Sequence, residues 1–192
     1  MRQRRPDGGQ TLAELGIIMP VLLVLIFGVL EVGWALFQSN VIRGYVRESS
    51  NLISRNRSFQ EAENAITSSS DSGGPVRIGA GEADSRMILS VVTLGSGGTN
   101  NNRVIILQRH QIGNLNATSV LGTPPQGAYG GAPDYVAKNP TNDSSIRVGG
   151  ALPNGYVLDV GQSLYVTEIF TRRGSIVNFA ILPDTLYASA FF

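Results

Sequence analysis

The sequence predicts an α+β protein, in which a long N-terminal transmembrane or stem helix leads into a small antiparallel β-sheet domain. Three observations carry this reading. An unbroken apolar run of 23 residues, Leu15 to Phe37, stands near the N-terminus. Helix-like spacing of apolar residues continues past it to Ile53. Beyond a polar break at 68–74 the pattern changes to short β-rich runs separated by Gly- and Asn-rich turns.

The apolar run comes first in the argument. Eighteen of its 23 residues are apolar, and the exceptions are Gly16, Pro20, Gly28, Glu31 and Gly33. As a helix it spans about 34 Å at about 1.5 Å per residue, enough to cross a hydrocarbon core of about 30 Å. A chain of 192 residues has little protein with which to enclose a helix that is apolar on every side. Arg2, Arg4 and Arg5 precede the run and resist translocation, so the N-terminus is expected in the cytoplasm and residues 38–192 outside the cytoplasmic membrane. Arg43 and Arg47 beyond the far end blur that asymmetry. A conventional secretory signal cut after Ala35 is the alternative, although its apolar core is usually only about 7 to 15 residues long.

Composition narrows the chemistry. With 15 Lys+Arg against 14 Asp+Glu the formal net charge is +1, which gives no general attraction for nucleic acid. Cysteine is absent, so disulfides and thiolate metal sites are excluded. A single histidine, His110, follows a β-rich run and reads as a surface polar residue. No HExxH, nucleophile elbow or phosphate-binding glycine loop occurs, so no catalytic residue, cofactor, metal or small-molecule substrate is assigned. A site built only from scattered carboxylates is the enzymatic alternative.

Immediately before the apolar run stands Gly8-Gly9-Gln10-Thr11-Leu12-Ala13-Glu14. A Gly, four residues and a Glu at the threshold of an apolar helix resembles the processing site of type IV prepilins. Cleavage after Gly9, where a glycine pair lets the backbone extend, would leave Gln10 as the new N-terminus and Glu14 as the fifth residue. A carboxylate at a membrane edge needs a partner. The alternative for Glu14 is a first-turn acid favoured by the helix dipole.

The stretch from Gly9 to about residue 50 resembles TadE-like proteins, minor pilins of the tight-adherence (Tad, or Flp-type) pilus. Gly9, Glu14, Pro20, Phe27-Gly28, Glu31 and Gly33 match the family pattern position by position, while Leu15 stands where an aromatic is common. The resemblance implies a pilin-like, single-pass protein of the cytoplasmic (inner) membrane. Its implied partners are the membrane, other pilin subunits, the Tad assembly platform and a prepilin peptidase, and its implied role is pilus biogenesis, structure or adhesion. It also implies a division into a leader (1–9), a membrane and assembly helix (10–37), a helical extension with a short second helix (38–73) and an extracytoplasmic β-rich domain (74–192). An unprocessed envelope scaffold and a type II secretion pseudopilin are the alternatives.

Within the apolar run, Glu31 is costly unless paired, protonated or snorkelling outward. A polar contact to another pilin or to the assembly platform is the functional expectation. Gly28 and Gly33 leave small grooves suited to close helix approach. Pro20 should loosen the helix around Gly16 by removing a backbone hydrogen bond.

Past the membrane run, Val41, Ile42, Tyr45, Val46, Leu52 and Ile53 continue the helix. Ser58-Phe-Gln-Glu61 is a capping box opening a short helix toward Thr67. Strands are expected at 86–94, 103–108, 163–171 and 185–192, the first two joined by a loose, mobile loop, with 175–182 ambiguous. Residues 113–161 hold nine Gly and five Pro and read as an irregular surface loop, with a strand at 145–148 and a turn at Asn154-Gly155. In that loop Tyr129, Asp134 and Tyr135 are candidate adhesive contacts. Glu168 shares a strand face with Leu164, Val166 and Phe170, and requires either an arginine partner or a half-exposed edge.

Overall fold

The computed structural model describes residues 8–177 and 182–192, with side chains described from Leu12 onward except that of Asn154. Helix α1 (Gly8–Ser54) runs 47 residues, about 70 Å at about 1.5 Å per residue. It is continuous through Pro20, so the expected loosening there takes no visible form as a break. Its side chains are exposed from Leu12 to Leu30. Burial then begins at Glu31 and recurs at Gln38, Ile42, Val46, Ser49, Ser50 and Ile53. Those intervals of seven, four and three keep one face of the helix against the rest of the protein.

Helix α2 (Phe59–Asp71) opens with the expected capping box. Ser58 Oγ accepts from the Glu61 N–H at 3.2 Å, and the Glu61 carboxylate accepts from the Ser58 N–H at 3.1 Å. Phe59, Ala62 and Ile66 form its buried side. The helix runs one turn beyond the expected stop because its serines satisfy their own hydroxyls. Ser69 Oγ bonds the Ala65 carbonyl, and the buried Ser70 Oγ both donates to Ile78 O and accepts from Ile78 N at 3.1 Å.

Four strands, β1 (Ser85–Leu94), β2 (Val104–Ile112), β3 (Ser163–Arg172) and β4 (Thr185–Phe191), form one antiparallel sheet in the order β2-β1-β3-β4. All four lie within a few residues of their expected positions. The largest difference is β2, which continues to Ile112, so His110 is inside the strand and not after it. Residues 178–181, half of the ambiguous stretch 175–182, lie outside the described residues.

Both faces of the sheet are covered. Met87, Leu89, Val91, Ile112, Ile169 and Ala188 pack on Ile42, Val46 and Ile53 of α1 and on α2. On the opposite face Val92, Ile106, Leu164 and Val166 pack on Leu121, Tyr129, Ile146 and Leu152. The Gly/Pro-rich stretch 113–161 is therefore irregular in backbone but works as the second layer of the domain, correcting the surface-loop expectation. Its expected strand at 145–148 is a 3-10 turn, Ser144–Ile146, opened by the Asp143 carboxylate. Asn154-Gly155 lies in another such turn, Pro153–Gly155. The β1–β2 loop is pinned to this layer. The buried Asn100 side chain donates to Pro140 O at 2.9 Å and Asp143 O at 2.8 Å, and accepts from Arg147 Nε at 2.7 Å.

Candidate functional site at the junction of rod and domain

The side chain that looked anomalous in the apolar run organises this junction. Strand β3 ends at Arg172, whose N–H bonds Asp84 O at 2.7 Å, and the next N–H, of Arg173, bonds Asp184 O at 2.7 Å. These bonds turn the chain back across α1. Arg173 Nε bonds Pro183 O at 3.2 Å, and its Nη1 donates to Glu31 Oε1. The other carboxylate oxygen accepts two backbone N–H groups, from Ile176 at 2.7 Å and Val177 at 3.1 Å. Both side chains of the pair are almost wholly enclosed, 2% exposed for Arg173 and 1% for Glu31. Burying two charges is tolerated here because each is paired and further hydrogen-bonded.

Gly174 passes close to the side chains of Gln38 and Trp34 on α1. A Cβ at that position would lie 2.8 Å from Gln38 Nε2 and 3.7 Å from Trp34 Nε1. Trp34 in turn contacts Phe37, with ring centroids 5.7 Å apart. Glu31 thus has polar partners within its own chain, Arg173 and the 174–177 turn. Sequence reasoning did not single out Arg173. It lies 142 positions away from its partner, in a turn whose local pattern carries no sign of the helix beneath it.

The other expected site residues lie apart from this junction. Gly9 and Gln10 fall in the first turns of α1, and Glu14 is exposed one turn further on. Gly28 and Gly33 meet nothing within 4 Å at the position of a Cβ. Gly28 shares a shallow apolar groove with Val24, Leu25, Val29 and Val32.

A second buried polar cluster lies between the sheet and its irregular layer. Glu168 is fully buried on β3, an inner strand, which overturns the half-exposed-edge alternative. Its carboxylate accepts from Ser119 Oγ, from Val120 N at 2.9 Å and from Tyr187 OH at 3.3 Å. Hydroxyls and a backbone N–H thus fill the role expected of an arginine. Arg109 contributes through charge at longer range: burial pushes its pKa down and the Glu168 carboxylate opposes that shift.

His110 is half-buried, correcting the surface reading. Its Nε2 lies 3.0 Å from Glu63 Oε2 on α2, and its ring stacks on Tyr135 at 3.8 Å. Burial pushes its pKa below the ordinary 6.5, against the pull of Glu63. Tyr135 OH bonds Gln60 Oε1 at 3.3 Å, and Tyr129 is 5% exposed. Of the three candidate adhesive side chains, only Asp134 stands free of such packing and exposed. Among the described residues no group of three or more His, Cys, Asp or Glu is placed to hold a metal ion.

An apolar rod joined at its base to a sheet domain defines a class of protein in which one N-terminal helix is long and apolar enough to cross a membrane. Residues 9–50 match the model of the TadE-like protein family, so this segment is similar to TadE-like proteins. The match covers the apolar run, the Glu31 position and the first part of the domain-packed helix. Comparisons with curated proteins and with solved structures give no match.

Proposed function

We propose that the chain is a TadE-like minor pilin, inserted with its N-terminus in the cytoplasm, cut after Gly9 and acting in the biogenesis or structure of a Tad pilus. One observation carries the reading. A stretch of exposed apolar side chains, Leu12 to Leu30, projects from the domain within the same segment that matches the family. Exposed apolar surface of that extent requires a covering. Lipid supplies it before assembly, and the helices of neighbouring pilins supply it afterwards. The partners are accordingly the inner membrane, other pilin subunits, the Tad assembly platform and a prepilin peptidase, and the domain contributes to assembly or adhesion.

The carboxylate of Glu14 stands at the inner end of the rod, where a neighbouring subunit's Gln10 amine is its assembly partner. The Gly9–Gln10 bond lies within a turn of helix α1. That favours the unprocessed scaffold as the second reading. The glycine pair lowers the cost of unwinding this turn, since glycine is a poor helix former.

Replacing Gly9 with valine and following both precursor mass and piliation tests the proposal. The expected result is a retained leader and loss of pili, with the wild-type mature protein starting at Gln10. A mature wild-type protein that still carries residues 1–9 would leave the scaffold reading standing in its place.

A further inference from the structure

We propose that the turn at 174–177 is a second membrane contact, seating Ile176 and Val177 in the outer lipid interface beside α1. The inference rests on the membrane-crossing reading of α1 and adds a separate element to it.

The height of the turn follows from the Glu31 carboxylate. Ile176 and Val177 donate their backbone N–H groups to it at 2.7 and 3.1 Å, so their level along the rod is that of residue 31. Their side chains are 53% and 41% exposed. From Glu14 to Trp34 is 20 residues of helix, about 30 Å at about 1.5 Å per residue, which equals the thickness of a hydrocarbon core. With Glu14 at the inner boundary, Trp34 and Phe37 fall at the outer one, where aromatic rings with a polar atom settle. Residue 31 is three residues nearer the bilayer centre, about 4.5 Å deeper. The turn therefore lies just on the acyl side of the headgroup boundary, and its two aliphatic side chains are exposed, as are Val32 and Leu36 on α1.

The pairing chemistry agrees with that depth. The Arg173–Glu31 pair is enclosed and the carboxylate's second oxygen is taken up by backbone N–H groups, so this pair presents no charge to lipid, while the neighbouring Arg172–Asp84 pair stays exposed to the headgroup side. Other exposed aliphatic residues, Val157 at 84% and Val160 at 82%, lie in the connection leading into β3 and carry no tie to α1.

The chain has no cysteine, so single labels are unambiguous. Nitroxides are attached at Val24→Cys, Val157→Cys and Ile176→Cys in the full chain, reconstituted into phosphatidylcholine–phosphatidylglycerol vesicles. Collisions with oxygen, which partitions into lipid, are compared with collisions with a water-soluble nickel chelate. The expected result is an oxygen-to-nickel ratio several-fold higher at 24 and 176 than at 157, with Val177→Cys repeating the result for 176. Should 176 and 177 behave like 157 while 24 still reports lipid, the turn is not a membrane contact, although the helix still crosses. Should 24 also report water, the crossing itself fails and the inference with it. Shielding of 176 from both reagents would mean that protein covers the turn, and would likewise overturn the assignment.

Discussion

Removing one partner of the Glu31–Arg173 pair tests how rod and domain are held together. In Arg173→Met the side-chain volume is nearly kept, but the Glu31 carboxylate loses its cation and retains only the N–H groups of Ile176 and Val177. In Glu31→Gln the amide turns either its oxygen or its NH2 toward Arg173 Nη1. With the NH2 there, donor faces donor; with the oxygen there, the two backbone N–H groups lose their acceptor. Leaving a buried charge unpaired costs about 3–5 kcal/mol. At about 1.4 kcal/mol per factor of ten, the open junction becomes at least about 100-fold more populated. Amide hydrogen exchange of the full chain in detergent micelles reads this directly at Ile176 and Val177. The expected result is exchange faster by two orders of magnitude or more at those two amides in Arg173→Met. Core sheet amides such as Leu89 and Ile169 should keep their protection. Wild-type exchange rates at 176 and 177 in both variants would show that the pair does not hold the junction.

Three further outcomes follow from the geometry. His110 has a folded pKa below its unfolded value of 6.5, so the unfolded chain takes up the proton first; stability falls as pH drops from about 6.5 toward the folded pKa, and denaturant titrations of His110→Gln should lose that slope. Gly113 has φ +87° and a Cβ there would lie 2.2 Å from the Ser85 carbonyl oxygen, so Gly113→Ala should lower the unfolding free energy by about 1–3 kcal/mol or more, read from the denaturant midpoint. Trp34 is the only tryptophan, and its fluorescence in vesicles should be quenched most strongly by lipids brominated near the headgroup end of the acyl chain, with mid-chain bromines most effective only if the helix sits deeper than Glu14 and Glu31 allow.

Much of the architecture was legible because it rests on local signals. The apolar run, the Ser58–Glu61 capping box and the alternating β runs each declare themselves within about ten residues, and all three reappear in the structure. What stayed hidden depends on contacts between distant segments. The 113–161 stretch has the composition of a surface loop, yet its sparse apolar residues, Leu121, Ile146 and Leu152 among them, cover one whole face of the sheet. Nothing in local spacing shows that a sheet with apolar residues on both faces must be covered twice. Glu168 and Arg109 are a product of that cover: on an exposed face they would be ordinary surface charges. Glu31 was visible as an anomaly, but its cation was not, because Arg173 is one of two adjacent arginines in an unremarkable turn.

The placement of the pair also bears on what assembly can change. From Glu31 to Ser54, α1 is about 35 Å of helix packed against α2, β3 and β4, and the pair closes the lower end of that contact. Below it no side chain from Leu12 to Leu30 is buried by the domain. A minor pilin leaving the bilayer, as proposed above, would exchange the covering of that lower segment for protein, while the upper segment keeps the packing it already has. The costly charge sits on the upper side of this division and is paired and hydrogen-bonded within its own chain. On the minor-pilin reading proposed above, Glu14 lies in the lower segment, whose covering changes when lipid is replaced by other helices. A piliation assay therefore separates the two acids. Glu14→Gln should impair assembly while leaving exchange at Ile176 and Val177 untouched, and Glu31→Gln should raise that exchange in the isolated subunit. Equal loosening of the 176–177 amides by both variants would contradict the division.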